Sequence, residues 1–296
     1  MRIFVTGASG WIGSAVIPEL LNAGHQVLGL ARSETAAASV AALGAEVHRG
    51  DLDDLGSLRA GAAAAGGVVH LGYSHDFSRM EAAARLDLAA INAIGAELAG
   101  TGGPFVVASG VLGLVSGRVA TERDVPDPGV HPRIAGVQAA LSFATRGVRS
   151  SSVRFAPTVH GPGDHGFLAV LVGIAREKGV SAYIGDGSNR WAAVHRLDAA
   201  NLVRLAVDKA PAAAALHATA EEGVPTRAIA DAIGRGLDLP VVSIPAEQAG
   251  DHFGWIARFF GLDGSASSSA TRELLGWNPV QPGLVADLDA GHYFKR

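Results

Sequence analysis

The chain has 296 residues, a formal net charge of −4, 48% hydrophobic and 18% charged residues, and no cysteine. This composition supports a large buried core and argues against intrinsic disorder. The mild acidity argues against a nucleic-acid partner, because phosphate binding needs a clustered basic face. Without cysteine there are no disulfides, thiolate metal sites or thiol nucleophiles.

The first apolar run, residues 3–5, reaches a glycine turn too soon to be the core of a signal peptide. The longest uncharged stretch, residues 98–117, is interrupted by glycines and Pro104. A buried strand with flanking turns therefore fits that stretch better than a membrane span. We expect a cytoplasmic protein with no membrane partner.

Short apolar runs alternate with alanine-rich stretches through the first half of the chain, in the βαβ rhythm of a parallel sheet. The pattern predicts strands at residues 3–6, 26–31, 46–49, 68–71, 105–108 and 152–156. It predicts helices at residues 12–23, 33–43, 57–64, 82–99 and 134–145. Several strands are apolar throughout, as expected where helices cover both faces. The predicted fold class is α/β, a Rossmann-type doubly wound parallel sheet with a smaller C-terminal lobe.

A glycine-rich turn joins the first predicted strand to the first predicted helix. Its glycines recur every third residue, which suits a tight turn, a close approach to a phosphate and helix packing on the strand. Amides at the helix start can then hold a pyrophosphate. The turn in this position predicts a dinucleotide site. The expected contacts are Thr6, Gly7, Ser9, Gly10, Trp11, Ile12 and Gly13.

The second predicted strand ends at Arg32 and Ser33, where an NAD-specific site usually has an acidic residue. A guanidinium can bind a 2′-phosphate in bidentate fashion, and the Ser33 hydroxyl can add a donor. We therefore predict NADP in preference to NAD. The alternative is that Arg32 is a solvated residue near a helix start.

Composition changes after about Pro157, where glycine, proline and aromatic residues cluster. We expect residues 1–156, with a return segment at 191–210, to form the dinucleotide-binding domain. Residues 157–190 and 211–296 are expected to form a substrate-binding lobe.

Three downstream segments extend this pattern. Residues 194–200 (VHRLDAA) are similar to Val-His-Val-Asp-Asp-hydrophobic-Ala, residues 159–163 (VHGPG) to Val-Tyr-Gly-Pro-Gly, and residues 275–279 (LGWNP) to Leu-Gly-Trp-x-Pro. With the glycine turn, they resemble the extended short-chain dehydrogenase/reductase superfamily, which includes nucleotide-sugar epimerases and dehydratases. The resemblance covers nearly the whole chain and identifies the fold better than the reaction.

The resemblance implies further cofactor contacts. Asp51 and Leu52 resemble the adenine contact of the superfamily, and Leu71 and Gly72 resemble its backbone contact near the nicotinamide ribose. Family members commonly pair through helices of the nucleotide domain, so the resemblance also allows a homodimer. The complete set of further cofactor contacts expected here is Asp51, Leu52, Leu71, Gly72, Tyr73, Ser109, Arg133 and Pro157.

The usual catalytic pair of the superfamily, a Tyr with a Lys four residues later, is absent. The chain has only three tyrosines, and none precedes a lysine at that spacing. Counting along the sequence places the family's Lys near Pro132 or Arg133. Arg133 can supply positive charge to the ribose hydroxyls, but it does not deprotonate. Ser109, which follows the fifth strand, is a candidate for binding a substrate oxygen.

Other side chains are therefore the candidates for proton transfer. Tyr73 follows Leu71 and Gly72, which predicts a position near the nicotinamide. His160 follows the sixth strand, where the family's substrate pocket converges, and histidine titrates near neutral pH. The predicted catalytic residues are Ser109, Tyr73 and His160. For each of Tyr73, His75 and His160 the alternative is a purely structural role.

The predicted substrate contacts are His75, Ser109, His160, His165, Arg190 and Trp191. His160 and His165 have a spacing that can bind zinc, but neither a helical His-x-x-x-His motif nor the resemblance supports a metal, so none is predicted. Arg190 and Trp191 follow a tight turn that lies beside the substrate in the superfamily. A structural turn with a packed Trp191 is the alternative.

The leading prediction is an NADP-dependent oxidoreductase that transfers hydride to or from a small carbonyl, alcohol or activated alkene. One alternative is an epimerase or dehydratase that uses bound cofactor transiently. The other is a non-catalytic NADP(H) sensor that presents a surface to a partner, as loss of the usual catalytic pair suggests.

Overall fold

The computed structural model describes residues 1–74, 79–127, 129 and 131–295. Seven parallel strands form the main sheet: β1 (Arg2–Thr6), β2 (Gln26–Ala31), β3 (Glu46–Arg49), β4 (Gly67–His70), β5 (Pro104–Gly110), β6 (Arg149–Phe155) and β10 (Ala214–Ala218). Their spatial order is β3-β2-β1-β4-β5-β6-β10. The predicted doubly wound α/β fold is confirmed. The strand order reverses between β1 and β4, which is where such sheets bind ligands.

Helices cover both faces of this sheet. They are α1 (Gly13–Asn22), α2 (Glu34–Ala42), α3 (Leu55–Ala63), α4 (Met80–Leu98), α5 (Ile134–Ser142) and α7 (Arg196–Lys209). One core lies around Val5, Val16 and Val203, and a second around Phe4, Ile91 and Phe143 on the other face. Residues buried on both faces explain why the central strands are apolar throughout.

The C-terminal lobe has two small sheets. One contains β7 (Thr158–His160), β9 (Arg190–His195) and β11 (Glu221–Pro225), and the other pairs β8 (Ser181–Ile184) with β12 (Val241–Ile244). Its helices are α6 (Phe167–Lys178), α8 (Thr226–Leu237), α9 (Ala249–Phe253), α10 (Ala257–Phe260), α11 (Ser269–Leu275) and α12 (Leu284–Asp289). A third core, centred on Trp191, Ile229 and Phe260, holds the lobe together.

The return to the main sheet differs from the expectation at residues 191–210. The β9 strand pairs with β7 and β11, so its apolar residues complete the small sheet of the lobe. It is β10 that rejoins the main sheet, beside β6. The helix α7, which follows β9, nevertheless packs against α1 of the nucleotide domain.

Among the described residues, no helix combines the length and the apolar character needed to cross a bilayer.

Candidate active site

The turn between β1 and α1 is folded so tightly that only glycine fits at two positions. Gly7 has a φ of +65°, and a Cβ there would lie 2.7 Å from the backbone nitrogen of Gly72. A Cβ on Gly13 would lie 2.1 Å from the Gly7 carbonyl oxygen. The Gly10 amide donates to that same oxygen, at 3.0 Å. The result is a cradle of backbone at the start of α1, which is the form that a phosphate site takes.

A second corner of the site lies where β2 meets α2. The Ser33 hydroxyl accepts the Ala36 amide and so caps α2. Arg49 donates to the Ser33 carbonyl at 2.9 Å and to the Glu34 carboxylate at 2.7 Å. Arg32, the residue before Ser33, is exposed. Two arginines, Arg32 and Arg49, and the Ser33 hydroxyl therefore lie at this corner.

Behind the cradle, Leu52 lies close to Gly72. A Cβ on Gly72 would come within 2.9 Å of the Leu52 side chain. The neighbouring Asp51 carboxylate accepts the Leu52 amide at 2.6 Å. Asp51 and Leu52 are both half-buried, and they lie between the end of β3 and the end of β4.

A buried hydrogen-bonded chain begins at the end of β1. Thr6 Oγ1 lies 2.8 Å from His70 Nδ1 and accepts the Gly72 amide at 3.1 Å. His70 Nε2 in turn lies 3.1 Å from Asp87 Oδ1. Because a carboxylate only accepts, His70 Nε2 donates to Asp87, and the Thr6 hydroxyl bonds to the other ring nitrogen. These hydrogen bonds therefore connect the cradle to α4 through buried side chains: His70 is 1% and Asp87 5% exposed.

The same carboxylate reaches Arg133, just before α5. Asp87 Oδ2 lies 3.7 Å from Arg133 Nε, and Arg133 Nη2 donates to the Ala108 carbonyl at 2.9 Å. The Arg133 guanidinium carbon lies 4.0 Å from the centre of the Tyr73 ring. Two residues predicted from the sequence, Tyr73 and Arg133, are thus brought into direct contact, with Asp87 holding the cation.

The surroundings set the protonation state of Tyr73. Burial raises the pKa of Tyr73 above its ordinary value, with Arg133 acting to lower it and Asp87 to raise it. Tyr73 therefore carries its proton at neutral pH and is suited to act as an acid. His131 Nδ1 accepts the Arg133 amide at 3.1 Å. Burial, Arg133 and Arg258 lower the pKa of His131, so its ring is neutral.

Ser109 lies at the carboxyl end of β5. Its neighbour Ala108 accepts the hydrogen bond from Arg133, and in the sheet Ser109 pairs with Arg154 of β6. Ser109 is half-buried and Pro157, between β6 and β7, is also half-buried. Both lie near the carboxyl ends of the parallel strands.

His160 is fully buried in β7. Its Nδ1 lies 2.9 Å from Asp287 Oδ2 on α12, and its ring meets that of His195 edge-on at 5.4 Å. In this arrangement His160 ties α12 to the small sheet. The neighbouring Tyr293 hydroxyl donates to Asp164 at 2.9 Å and accepts the Gly161 amide at 3.1 Å, which fixes the loop after β7.

The remaining predicted substrate contacts are dispersed. Trp191 is 0% exposed and packs against Phe167 and Phe260 in the core of the lobe. Arg190 is exposed, and its amide donates to Asp263 at 3.2 Å. His165 meets the Trp11 ring edge-on at 5.6 Å, beside the glycine turn. His75 lies outside the described residues.

Arg196 is a residue of this site that the sequence analysis missed. Its guanidinium carbon lies 4.2 Å from the centre of the Trp11 ring, and its Nη2 donates to Ser14 Oγ at 2.7 Å. A positive charge is thereby placed in the first turn of α1, beside the cradle. The sequence did contain a signal for it: Arg196 occupies the position at which the related motif Val-His-Val-Asp-Asp-hydrophobic-Ala has its second Val.

His70 and Asp87 were missed as well. His70 was visible as a lone polar residue in an apolar strand, whereas Asp87 looks like any acidic residue on a helix. Only the packing of α4 against the sheet shows that this carboxylate is buried between an imidazole and a guanidinium.

Replacing Asp87 should therefore weaken folding. We expect Asp87→Asn to lower the free energy of unfolding by about 2–3 kcal/mol, because it leaves the partly buried Arg133 without its counter-charge and removes the buried carboxylate that accepts from His70. Urea denaturation followed by circular dichroism measures this. Asp208 is the matched control, since it also pairs with a histidine and an arginine, His25 and Arg204, but is 26% exposed in its side chain. Asp208→Asn should cost less than about 1 kcal/mol, and equal losses for the two variants would contradict the assignment.

Comparisons with known proteins agree with this architecture. The model of the NAD dependent epimerase/dehydratase family matches residues 3–109. An uncharacterized protein of Schizosaccharomyces pombe is 48% identical over 296 residues, covering 99% of this chain and 100% of that protein. A ketoreductase of Stigmatella aurantiaca, named for 4-hydroxy-2-methyl-3-oxo-4-farnesyl-3,4-dihydroquinoline-1-oxide, is 41% identical over 70 residues, 24% of this chain and 21% of its own.

Among solved structures, the dTDP-glucose 4,6-dehydratase DesIV of Streptomyces venezuelae, with NAD bound, superposes with a TM-score of 0.78 at 19% identity. The match covers 99% of this chain and 96% of the dehydratase. Fold, glycine cradle and relatives lead to one conclusion: the chain belongs to one family with the protein of Schizosaccharomyces pombe, and its residues 3–109 are those of the NAD dependent epimerase/dehydratase family.

Proposed function

We propose that this protein is an NADP-dependent oxidoreductase that reduces a small carbonyl compound or activated alkene, or oxidises the corresponding alcohol, with Tyr73 as the proton donor. The observation that carries the proposal is the contact of Tyr73 with Arg133, 4.0 Å apart and anchored by Asp87. The helix α5, which follows Arg133, contains neither tyrosine nor lysine. The pair thus supplies the hydroxyl and the cation that the family usually takes from α5.

The residues present fit a nicotinamide dinucleotide. The missing Cβ atoms of Gly7 and Gly13 let the turn pack directly on Gly72 and set the start of α1 against the Gly7 carbonyl, and amides at such a helix start can bind a pyrophosphate. Tyr73 follows directly on Gly72, whose amide is fixed by Thr6. When bound, the reduced nicotinamide supplies a hydride to the substrate carbon. These features support a reacting centre near Tyr73.

In carbonyl reduction, the Tyr73 hydroxyl donates its proton to the carbonyl oxygen as the carbon gains the hydride. The C=O double bond becomes an alcohol, and the phenolate that remains takes a proton from solvent. Arg133 stabilises this transient phenolate through its positive charge. Ser109, which follows the Ala108 whose carbonyl accepts from Arg133, is proposed to hold the substrate oxygen.

The experiment is a panel of aldehydes, ketones and enones mixed with the purified protein and NADPH, with absorbance followed at the nicotinamide band. Consumption of NADPH with formation of the alcohol supports the proposal. Inactivity across the panel despite NADPH binding would overturn it. Dinucleotide retained through purification, with no net oxidation, would instead favour the epimerase or dehydratase alternative, and a partner whose affinity differs between NADP and NADPH would favour the sensor.

The proposed preference for NADP has its own test. We expect Arg32→Gln to weaken NADPH binding roughly tenfold through loss of a charge-assisted hydrogen bond to the 2′-phosphate, with NADH binding unchanged. Isothermal titration calorimetry measures both affinities. Arg59→Gln, at an exposed position on α3, is the control and should change neither. Equal affinity of the unaltered protein for NADPH and NADH would contradict the preference.

A further inference from the structure

Arg196 is a half-buried cation whose charge has no anionic partner in the described part of the chain. Its Nη2 donates to Ser14 Oγ, but no carboxylate oxygen of a described residue lies within 4.0 Å of its guanidinium nitrogens. Its Nε is buried without a hydrogen-bond partner, and burial lowers the pKa of Arg196 below its ordinary value. A charge removed from water in this way is costly unless an opposite charge accompanies it.

Two other half-buried arginines show how this fold meets such a charge from within. Arg133 lies beside the Asp87 carboxylate, and Arg149 donates to three carbonyl oxygens at the end of α7. Carboxylates and helix C-terminal carbonyls are both negative partners for a cation. Arg196 has neither kind of partner among the described residues, and the Ser14 hydroxyl is neutral. The charge of Arg196 therefore fits an anion that the protein itself does not supply.

This unpaired charge lies beside the glycine cradle. The Ser14 hydroxyl that accepts from Arg196 also donates to the Gly10 carbonyl, at 2.7 Å. A single hydroxyl thus connects the guanidinium to the backbone of the glycine turn. Trp11, the residue after Gly10, lies against the guanidinium, with 4.2 Å from its ring centre to the guanidinium carbon. Its Nε1 donates to the Val159 carbonyl at 2.7 Å, so the ring is fixed in place and the cation with it.

We propose that Arg196 is a cofactor-binding residue, whose guanidinium supplies the counter-charge for the diphosphate of the dinucleotide. This inference rests on the proposed function and adds a charged side chain to a cradle of backbone. A diphosphate at the start of α1 is an anion beside a cation that lacks one, so each stabilises the other. Because Trp11 and Ser14 already hold the guanidinium, little side-chain ordering remains to be done on binding.

The test measures binding of NADPH, NADH and ADP-ribose by calorimetry to the unaltered protein and to Arg196→Met, which removes the charge and keeps an unbranched side chain. All three ligands contain the diphosphate, so each Kd should rise about tenfold through loss of a charge-assisted hydrogen bond. The salt dependence of each Kd should also weaken. Arg204→Met is the matched control, because Arg204 is half-buried on the same helix and lies 3.6 Å from Glu19 of α1. It should change no Kd.

The stability of the unliganded protein separates a binding role of Arg196 from a structural one. Because Arg196→Met removes a charge without a partner, we expect the melting temperature without ligand to stay the same or to rise. A lower melting temperature with unchanged Kd values would show a structural role and overturn the proposal. Arg196→Lys keeps the charge and should bind all three ligands more tightly than Arg196→Met. Equal losses in these two variants would contradict a role for the charge.

The choice of ligands keeps this test separate from the test of the oxidoreductase. ADP-ribose lacks the nicotinamide and exchanges no hydride, so its weaker binding to Arg196→Met supports the proposal whether or not a carbonyl compound is reduced. A loss of affinity limited to NADPH would assign Arg196 to the 2′-phosphate and overturn the diphosphate contact. Failure of the unaltered protein to bind any of the three ligands would overturn the dinucleotide site and the role of Arg196 together.

Discussion

Tyr73→Phe is expected to lower kcat for carbonyl reduction by about 100-fold or more, the range of general acid catalysis. The substitution removes only the hydroxyl, so the ring that contacts Arg133 at 4.0 Å remains. We therefore expect NADPH affinity, measured by calorimetry, to stay within about twofold of the unaltered protein, since the ribose and phosphate contacts are untouched. A loss confined to kcat identifies a group that acts in the transition state.

The chain contains a matched control for this variant. Tyr183, on β8, also lies beneath an arginine, with the Arg227 guanidinium carbon 5.4 Å from its ring centre. It belongs to the C-terminal lobe, away from the glycine cradle. Tyr183→Phe should leave kcat and KM unchanged. If Tyr73→Phe retained full activity, the proton would have to come from another group and the proposed role of Tyr73 would be wrong.

The pH profile distinguishes Tyr73 from a histidine donor. Burial raises the pKa of Tyr73 above its ordinary value, which is near 10. The acid form therefore persists across neutral and moderately alkaline pH, and kcat for reduction should not fall until the solution is more alkaline than that ordinary value. The pKa of His131 is lowered by burial, so a reaction that depended on its protonated form would already decline below neutral pH.

The local elements of the nucleotide domain could be predicted from sequence because short-range patterns determine them. The strands predicted at 26–31 and 46–49 are observed as β2 and β3 with the same bounds. Apolar runs flanked by turn residues carry this information directly. The glycine turn was equally readable, since a Cβ on Gly13 would meet the Gly7 carbonyl oxygen.

Long-range pairing could not be predicted in the same way. The apolar run in β9 resembles a central strand of the main sheet, yet it pairs with β7 and β11. An apolar run indicates that a strand is buried, but it does not indicate in which sheet the strand pairs. Asp87 shows the same limit for the site. Its meeting with His70 and Arg133 depends on how α4 and α5 pack on the sheet.

Gly13→Ala is expected to abolish useful dinucleotide binding, with NADPH affinity falling about 100-fold, or about 2.7 kcal/mol. The added methyl would lie 2.1 Å from the carbonyl oxygen of Gly7, and the atom it meets is main chain, which cannot rotate away. The first turn of α1 must then move off the cradle, and with it the amides that face a pyrophosphate. Overpacking of this kind should also lower the free energy of unfolding by about 1–3 kcal/mol.

The control for Gly13→Ala is a glycine-to-alanine change where space is open. Gly173 lies in α6, and no atom is within 4 Å of the position its Cβ would take. Gly173→Ala should raise the free energy of unfolding by about 0.5–1 kcal/mol through helix propensity and leave NADPH binding unchanged. Calorimetry with NADPH and urea denaturation measure both variants. Full NADPH affinity in Gly13→Ala would show that the cradle does not hold the phosphates, because a cradle that tolerates this methyl is not closed around Gly7.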